Sequence, residues 1–237
     1  MKKMMSALLV VLMCSSVQAV LITSNTAGQL FFDDFESYAV GTTVSGLSSS
    51  WINTNGCGIT IVRDSDPVAN QGSKYLGISQ PSDPQKFFAK LSSTQTSGIL
   101  TMQFALYAPT TTASYIGTIQ MEPDTTDATL AAGIIILQDG SVKYYNNGWN
   151  STGLTVTKDA WQDVTLTYNL NTDVFNVDIA GQNATVTGTG LTRTVGAVFF
   201  SGANAGGAFA IDAVPEPTTI AFLLVSMIAG VSRRNTK

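Results

Sequence analysis

The 237-residue chain has no histidine, and that absence excludes more chemistry than any motif it carries. Without imidazole there is no Ser-His-Asp or Cys-His nucleophilic arrangement, no customary general base near neutral pH and no usual zinc ligand. Cysteine is almost as scarce, with Cys14 and Cys57 the only two. Cys14 lies in a segment expected to be removed, so Cys57 is left without an intramolecular partner. Neither a disulfide framework nor a thiolate metal cluster is then expected, and Cys57 reads as a small buried hydrophobe, with a cross-link between two chains as the alternative. No glycine-rich phosphate loop follows a strand and opens a helix. Between the two ends of the chain the only glutamates are Glu36 and Glu122, and Glu122 stands beside Pro123 in an expected loop. Glycoside hydrolysis needs a carboxylate pair about 5–9 Å apart, and no strand offers one.

What is present at the ends reads as addresses. Lys2 and Lys3 precede an apolar run from Met4 to Met13, and Val17-Gln18-Ala19 places small residues at −3 and −1. This is a signal-peptide pattern over residues 1–19, with cleavage expected after Ala19. At the far end Pro215-Glu216-Pro217 is followed by an apolar run, Ile220 to Val231, and then by Arg233, Arg234 and Lys237. The uncharged stretch Thr218 to Ser232 is 15 residues, short of the roughly 20 that cross a bilayer comfortably. The basic residues would stay cytoplasmic and leave the preceding domain outside.

That order of motif, short apolar run and basic tail over 214–237 resembles the PEP-CTERM sorting domain of Gram-negative bacteria. The resemblance implies an exosortase-type processing enzyme acting at Pro215-Glu216-Pro217 and export across the inner membrane. It further implies C-terminal anchoring in the membrane by a short hydrophobic helix, then residence at the envelope surface or outside the cell, with exopolysaccharide as a partner.

Residues 20–213 remain as one domain. They hold 7 of the 12 Lys and Arg but 15 of the 16 Asp and Glu, a net charge of −8. An acidic exported domain argues against nucleic acid and anionic lipid surfaces as partners. Its apolar pattern has a period of two: Lys74-Tyr75-Leu76-Gly77-Ile78, Leu100 to Leu106 and Val164 to Tyr168 alternate as half-buried strands do. Strands are expected over 29–35, 58–63, 74–79, 86–91, 98–107, 114–121, 130–138, 141–145, 161–169, 173–180, 183–187, 194–201 and 207–213. Turn signals separate them, among them Asp139-Gly140, which suits a tight two-residue hairpin. Trp161, Val164, Leu166 and Tyr168 share the buried side if a bulge lies near Gln162, and Trp161 is expected in the core.

The opening Phe31-Phe32-Asp33-Asp34-Phe35-Glu36-Ser37-Tyr38, the Trp161-x-x-Val164-x-Leu166-x-Tyr168 strand with its partner ending in Gly181, and the closing Phe209-Ala210-Ile211-Asp212-Ala213 together resemble a laminin-G-like, concanavalin A-like domain. The resemblance implies an all-β fold, a two-sheet antiparallel jelly-roll sandwich, with the first and last strands close together in one sheet.

If those strands are neighbours, Asp34, Glu36 and Asp212, with Asp33 beside them, are candidate calcium ligands. The same carboxylates also read as edge charges that discourage strand pairing. Trp149 and Tyr145 are the candidate glycan-binding aromatics, since Asn146-Asn147-Gly148-Trp149-Asn150 has the composition of an exposed loop. Trp51 and Tyr144 also lie near loops of that kind. The sequence thus reads as an exported structural or interaction protein of the envelope rather than an enzyme. The alternative is a carbohydrate-binding module with a defined ligand, and a polysaccharide-active enzyme comes third.

Overall fold

The computed structural model describes residues 20–53, 61–65, 67–70, 72–79, 86–126, 130–146, 148–188, 192–202 and 208–212. All belong to one compact unit, Gln18–Pro215. Cys57, the signal segment with Ala19, and the tail with Pro215, Glu216, Pro217, Arg233, Arg234 and Lys237 lie outside the described residues. Among the described residues no helix is long and apolar enough to cross a membrane. The run Ile220 to Val231, for which the sequence suggests one, is not among them.

The chain is all-β. The strands of its first half are β1 (Val20–Ser24), β2 (Gly28–Asp33), β3 (Trp51–Asn53), β4 (Ile61–Arg63), β5 (Tyr75–Ser79), β6 (Lys86–Gln95), β7 (Ile99–Tyr107) and β8 (Tyr115–Glu122). Then come β9 (Ala132–Leu137), β10 (Ser141–Tyr145), β11 (Trp149–Thr155), β12 (Trp161–Asn169), β13 (Val174–Ile179), β14 (Gln182–Thr187), β15 (Val195–Gly202) and β16 (Ala208–Asp212). They form two antiparallel sheets. The nine-stranded sheet runs β14-β13-β12-β7-β16-β5-β4, with β1 on β7 and β2 on β1; the seven-stranded sheet runs β11-β10-β9-β8-β15-β6-β3. This is the two-sheet jelly-roll sandwich that the resemblance implies.

The core lies between the sheets, built from the inward half of each alternating strand. Met102, Phe104, Leu106, Val164, Leu166 and Tyr168 face it from β7 and β12, all fully buried. From the other sheet Phe87 and Phe200 stack with centroids 5.3 Å apart. Trp51 joins them at 5.7 and 6.0 Å, and the ring of Phe31 in β2 meets it edge-on at 5.0 Å. Such aromatic pairs add about 0.5–1.5 kcal/mol each beyond their buried area. Trp51 is therefore a core residue, only 4% exposed, and not a ring near a surface loop.

One edge of β7 pairs with β12 throughout; the other is shared end to end by β1 and β16. Leu21 to Ser24 pair with Gln103 to Leu100, and Ala210 to Asp212 pair with Tyr107 to Ala105. First and last strands thus lie close together in one sheet, as the resemblance implies, but the first strand is Val20–Ser24, ahead of the expected 29–35. β3 and β11 are further additions, one too short and the other too polar to announce itself. The hairpin at Asp139-Gly140 departs in detail: three residues separate β9 from β10, and only Gly140, at φ 89°, takes the left-handed conformation.

Candidate functional site

The decisive register is that of β12 on β7. Pairing runs without interruption from Trp161↔Tyr107 to Asn169↔Ile99. With no bulge near Gln162, the odd positions of β12 face away from the second sheet, and Trp161 goes with them. Its assignment to the core is thereby corrected: Trp161 is half-buried on the outer face. Gln162 points inward instead, and its amide bonds both the N–H and the C=O of Thr157.

On that outer face Trp161 stands edge-on to Tyr75 with centroids 5.7 Å apart and tilted against Tyr107 at 5.5 Å. Tyr75 and Tyr107 line a cleft of about 290 Å3 together with Arg63, Gly77, Ala210 and Asp159. Gly77 and Ala210 pair across β5 and β16, so the floor is cut low by two small residues between large rings. The Nε of Arg63 is buried and has no hydrogen-bond partner. A Cβ at position 77 would lie 2.7 Å from that Nε and 2.8 Å from the Arg63 Cδ, so the arginine arm rests on bare glycine backbone.

Asp159 sits at the lip at φ 58°, a conformation that side chains other than glycine adopt at some cost and that recurs at functional sites. Its oxygens accept from the Thr110 N–H at 2.8 Å and the Thr110 hydroxyl at 2.7 Å. Those bonds hold its carboxyl below the ordinary carboxylate value.

Pro67, between β4 and β5, also lines the cleft, and described residues around it are latched at several points. The Trp161 Nε1 donates to the Val68 carbonyl at 2.7 Å, and the Tyr75 hydroxyl donates to the Ser65 carbonyl at 2.8 Å. The Asn70 N–H donates to Asp212 Oδ2 at 2.6 Å. Glu36 Oε1 accepts the Ser73 and Lys74 N–H groups, and Glu36 Oε2 accepts the Ser73 hydroxyl at 2.7 Å.

Two of the three expected calcium ligands, Glu36 and Asp212, thus hold this segment by accepting backbone N–H bonds. Asp34 accepts the Glu36 N–H in a local turn. Among the described residues no group of three or more His, Cys, Asp or Glu side chains could hold a metal ion. Asp34, Glu36 and Asp212 are therefore not brought together as a three-carboxylate cage. The reason is topological, because β2 pairs with β1 rather than with β16. Glu122 is also placed differently from expectation: it ends β8, 2% exposed, rather than riding in a loop.

The Glu36 latch makes two checkable statements. Gly72, at φ +61°, packs so closely that an added Cβ would collide with Glu36 Oε1 and lie 2.8 Å from its Cδ. Gly72→Ala is expected to cost about 1–3 kcal/mol from left-handed strain plus that collision. Urea unfolding would read it, and a change within about 0.5 kcal/mol would remove the latch from the account. Burial pushes the Glu36 carboxyl up, but the bonds from Ser73 and Lys74 outweigh it and leave the group below its ordinary value of 4.5. A depressed carboxylate stabilises the fold above its unfolded pKa and loses that contribution as pH falls through the folded one. Glu36→Gln should therefore be less stable than wild type at pH 7, with the gap closing below about pH 4.5; a gap independent of pH would contradict this.

The sequence-predicted aromatics do come together. Tyr145 and Trp149 pair across the β10–β11 hairpin, with rings edge-on at 5.3 Å. Both are half-buried, on the rim of the seven-stranded sheet and at a different place from the cleft lined by Tyr75 and Tyr107. The Asn150 amide ties the turn by donating to the Asn146 and Gly148 carbonyls, both at 2.8 Å.

No family model matches the chain, and no curated protein matches it in sequence. Solved structures do resemble it in fold. A sialidase is similar over 77% of this chain and 18% of its own, at 14% identity with TM-score 0.57. The carbohydrate-binding module CBM66 from Bacillus subtilis is similar over 70% of this chain and 93% of its own, at 8% identity and TM-score 0.45. A beta-glucanase of Bacillus licheniformis is similar over 77% of this chain and 94% of its own, at 13% identity and TM-score 0.44. At 14% identity the likeness to the sialidase is one of fold alone. The chain spans under a fifth of the sialidase it matches (18%).

Proposed function

We propose that this chain is an exported, envelope-associated protein whose jelly-roll domain binds a glycan in the cleft lined by Tyr75 and Tyr107, against which Trp161 packs. The observation that carries the reading is the cleft lined by Tyr75, Tyr107, Arg63, Asp159, Gly77 and Ala210, with the outward Trp161 packed against its two tyrosines. Sugar rings present C–H faces that pack on aromatic rings, and their hydroxyls need donors and acceptors such as Arg63 and Asp159 supply. Binding is favoured over hydrolysis because, among the described residues lining the cleft, Asp159 is the one carboxylate, and hydrolysis requires two.

Export and sorting rest on the sequence at both ends. The signal segment 1–19 is removed after Ala19, and the tail 214–237 directs an exosortase-type enzyme to Pro215-Glu216-Pro217. Arg233, Arg234 and Lys237 stay on the cytoplasmic side, and the acidic domain 20–213 is delivered to the envelope surface, where exopolysaccharide is the partner at hand. The Tyr145–Trp149 pair supports a second contact with the same polymer at the sheet rim.

A glycan array probed with the full chain and with Trp161→Ala tests the reading. A defined set of glycans bound by the wild type and lost in Trp161→Ala is expected. An array that stays blank for both points instead to a structural role in the envelope.

A further inference from the structure

We infer that the sugar held in this cleft carries a carboxylate, and that Arg63 is the residue that reads it. The inference rests on the cleft being the glycan site and adds the charge of the ligand. Arg63 enters from β4 and lays its arm across Gly77, which has no side chain to lift it away. Its Nε–H is buried without an acceptor, although a guanidinium withdrawn from water ordinarily secures one. Arg63 lines the cleft, and adjacent N–H groups of a guanidinium form a planar fork that matches the two oxygens of a carboxylate.

The other charged group lining the cleft does not fill that need: Asp159 turns both oxygens to Thr110. A uronic-acid ring meets both halves of the site, with its C–H face toward the aromatic side chains and its carboxylate on the fork. The cleft's 290 Å3 is at the small end of ligand pockets, which suits one sugar residue. The domain's net charge of −8 does not decide against an acidic ligand, because at physiological salt charges beyond about 8 Å are screened.

The test titrates the full chain with a uronic-acid trisaccharide and with the same trisaccharide methyl-esterified at every carboxylate. Wild type is expected to bind the acid at least tenfold more tightly than the ester. Arg63→Met should bind the two forms equally. Gly77→Ala, which keeps the arginine but lifts it from the floor, should reduce the preference as well, a result that loss of charge alone would not produce. A wild type that binds acid and ester equally, or an Arg63→Met that keeps the preference, overturns the inference. If neutral or esterified sugars bind through Trp161 with no preference for acid, the glycan cleft stands and the acidic ligand falls. If the wild type binds neither form, or Trp161→Ala changes nothing, both fall.

Discussion

Asp33→Ala is expected to destabilise the domain by about 3–5 kcal/mol, the range for uncovering several buried donors at once. Asp33 is 6% exposed and serves three donors: the Phe35 N–H at 2.9 Å, the Tyr38 hydroxyl at 2.8 Å and the Trp51 Nε1 at 2.6 Å. Alanine would orphan the indole N–H in the core and release Phe35, a fully buried residue held at φ 59°. A domain of this kind has roughly 5–15 kcal/mol to lose, so the variant should unfold early in urea. Burial, only partly opposed by the three hydrogen bonds, leaves the Asp33 carboxyl above its ordinary value of 3.8. The native state then holds the proton more tightly than the unfolded one, and this contribution falls as pH rises through that raised value. Asp33→Asn keeps an acceptor for Phe35 and should cost less than alanine. An alanine variant within about 1 kcal/mol of wild type would mean that Asp33 does not organise the core.

The second large effect is on binding. Trp161→Ala is expected to weaken glycan binding by about 30-fold to several hundredfold, as truncating an aromatic hot spot of about 2–4 kcal/mol does. The ring is half-buried on the outer face and its Nε1 bonds the Val68 carbonyl, so the loss includes some loosening of the cleft wall. Trp161→Phe separates the two contributions by keeping an apolar ring and removing the donor. Trp149→Ala, at the sheet rim, should change affinity by less than tenfold. Equal losses at both positions would place the ligand across the sheets rather than in the cleft.

The exchange of roles between Trp51 and Trp161 explains what was legible in the sequence. Period-two alternation is a local signal, and it placed most strands correctly, while the choice of a sandwich over a barrel came from the resemblance. Trp161 stands three positions before Val164, an odd spacing that reverses its face unless a bulge intervenes. Whether a bulge exists is decided by the pairing with Tyr107 and Leu106, more than 50 residues away in the chain, not by the strand itself. Trp51 was hidden for the opposite reason: it sits at the head of a three-residue strand in a serine-rich stretch with no period. Its burial comes from Phe31, Phe87 and Phe200.

The carboxylates teach a related lesson. Asp34, Glu36 and Asp212 are suitable residue types for a hard cation, and the sequence marks them as unusual. Yet Glu36 meets Ser73 and Lys74, and Asp212 meets Asn70, contacts bridging up to 142 residues. Their backbone partners have no side-chain signature to read. The cleft itself was invisible for the same reason, since its floor, rings and guanidinium come from β4, β5, β7 and β16.

The chain has three tryptophans, and the fold places them in three different settings: Trp51 in the core, Trp149 at the rim and Trp161 on the outer face against the cleft's two tyrosines. The most direct test of the central claim is therefore the indole N–H spectrum of the isotope-labelled full chain, titrated with a glycan that it binds. Signals would be assigned by single Trp→Phe variants. The account predicts that the Trp161 signal shifts with saturation while that of Trp51 stays in place. A titration that moves Trp149 alone, or leaves the Trp161 signal untouched at saturation, would contradict it.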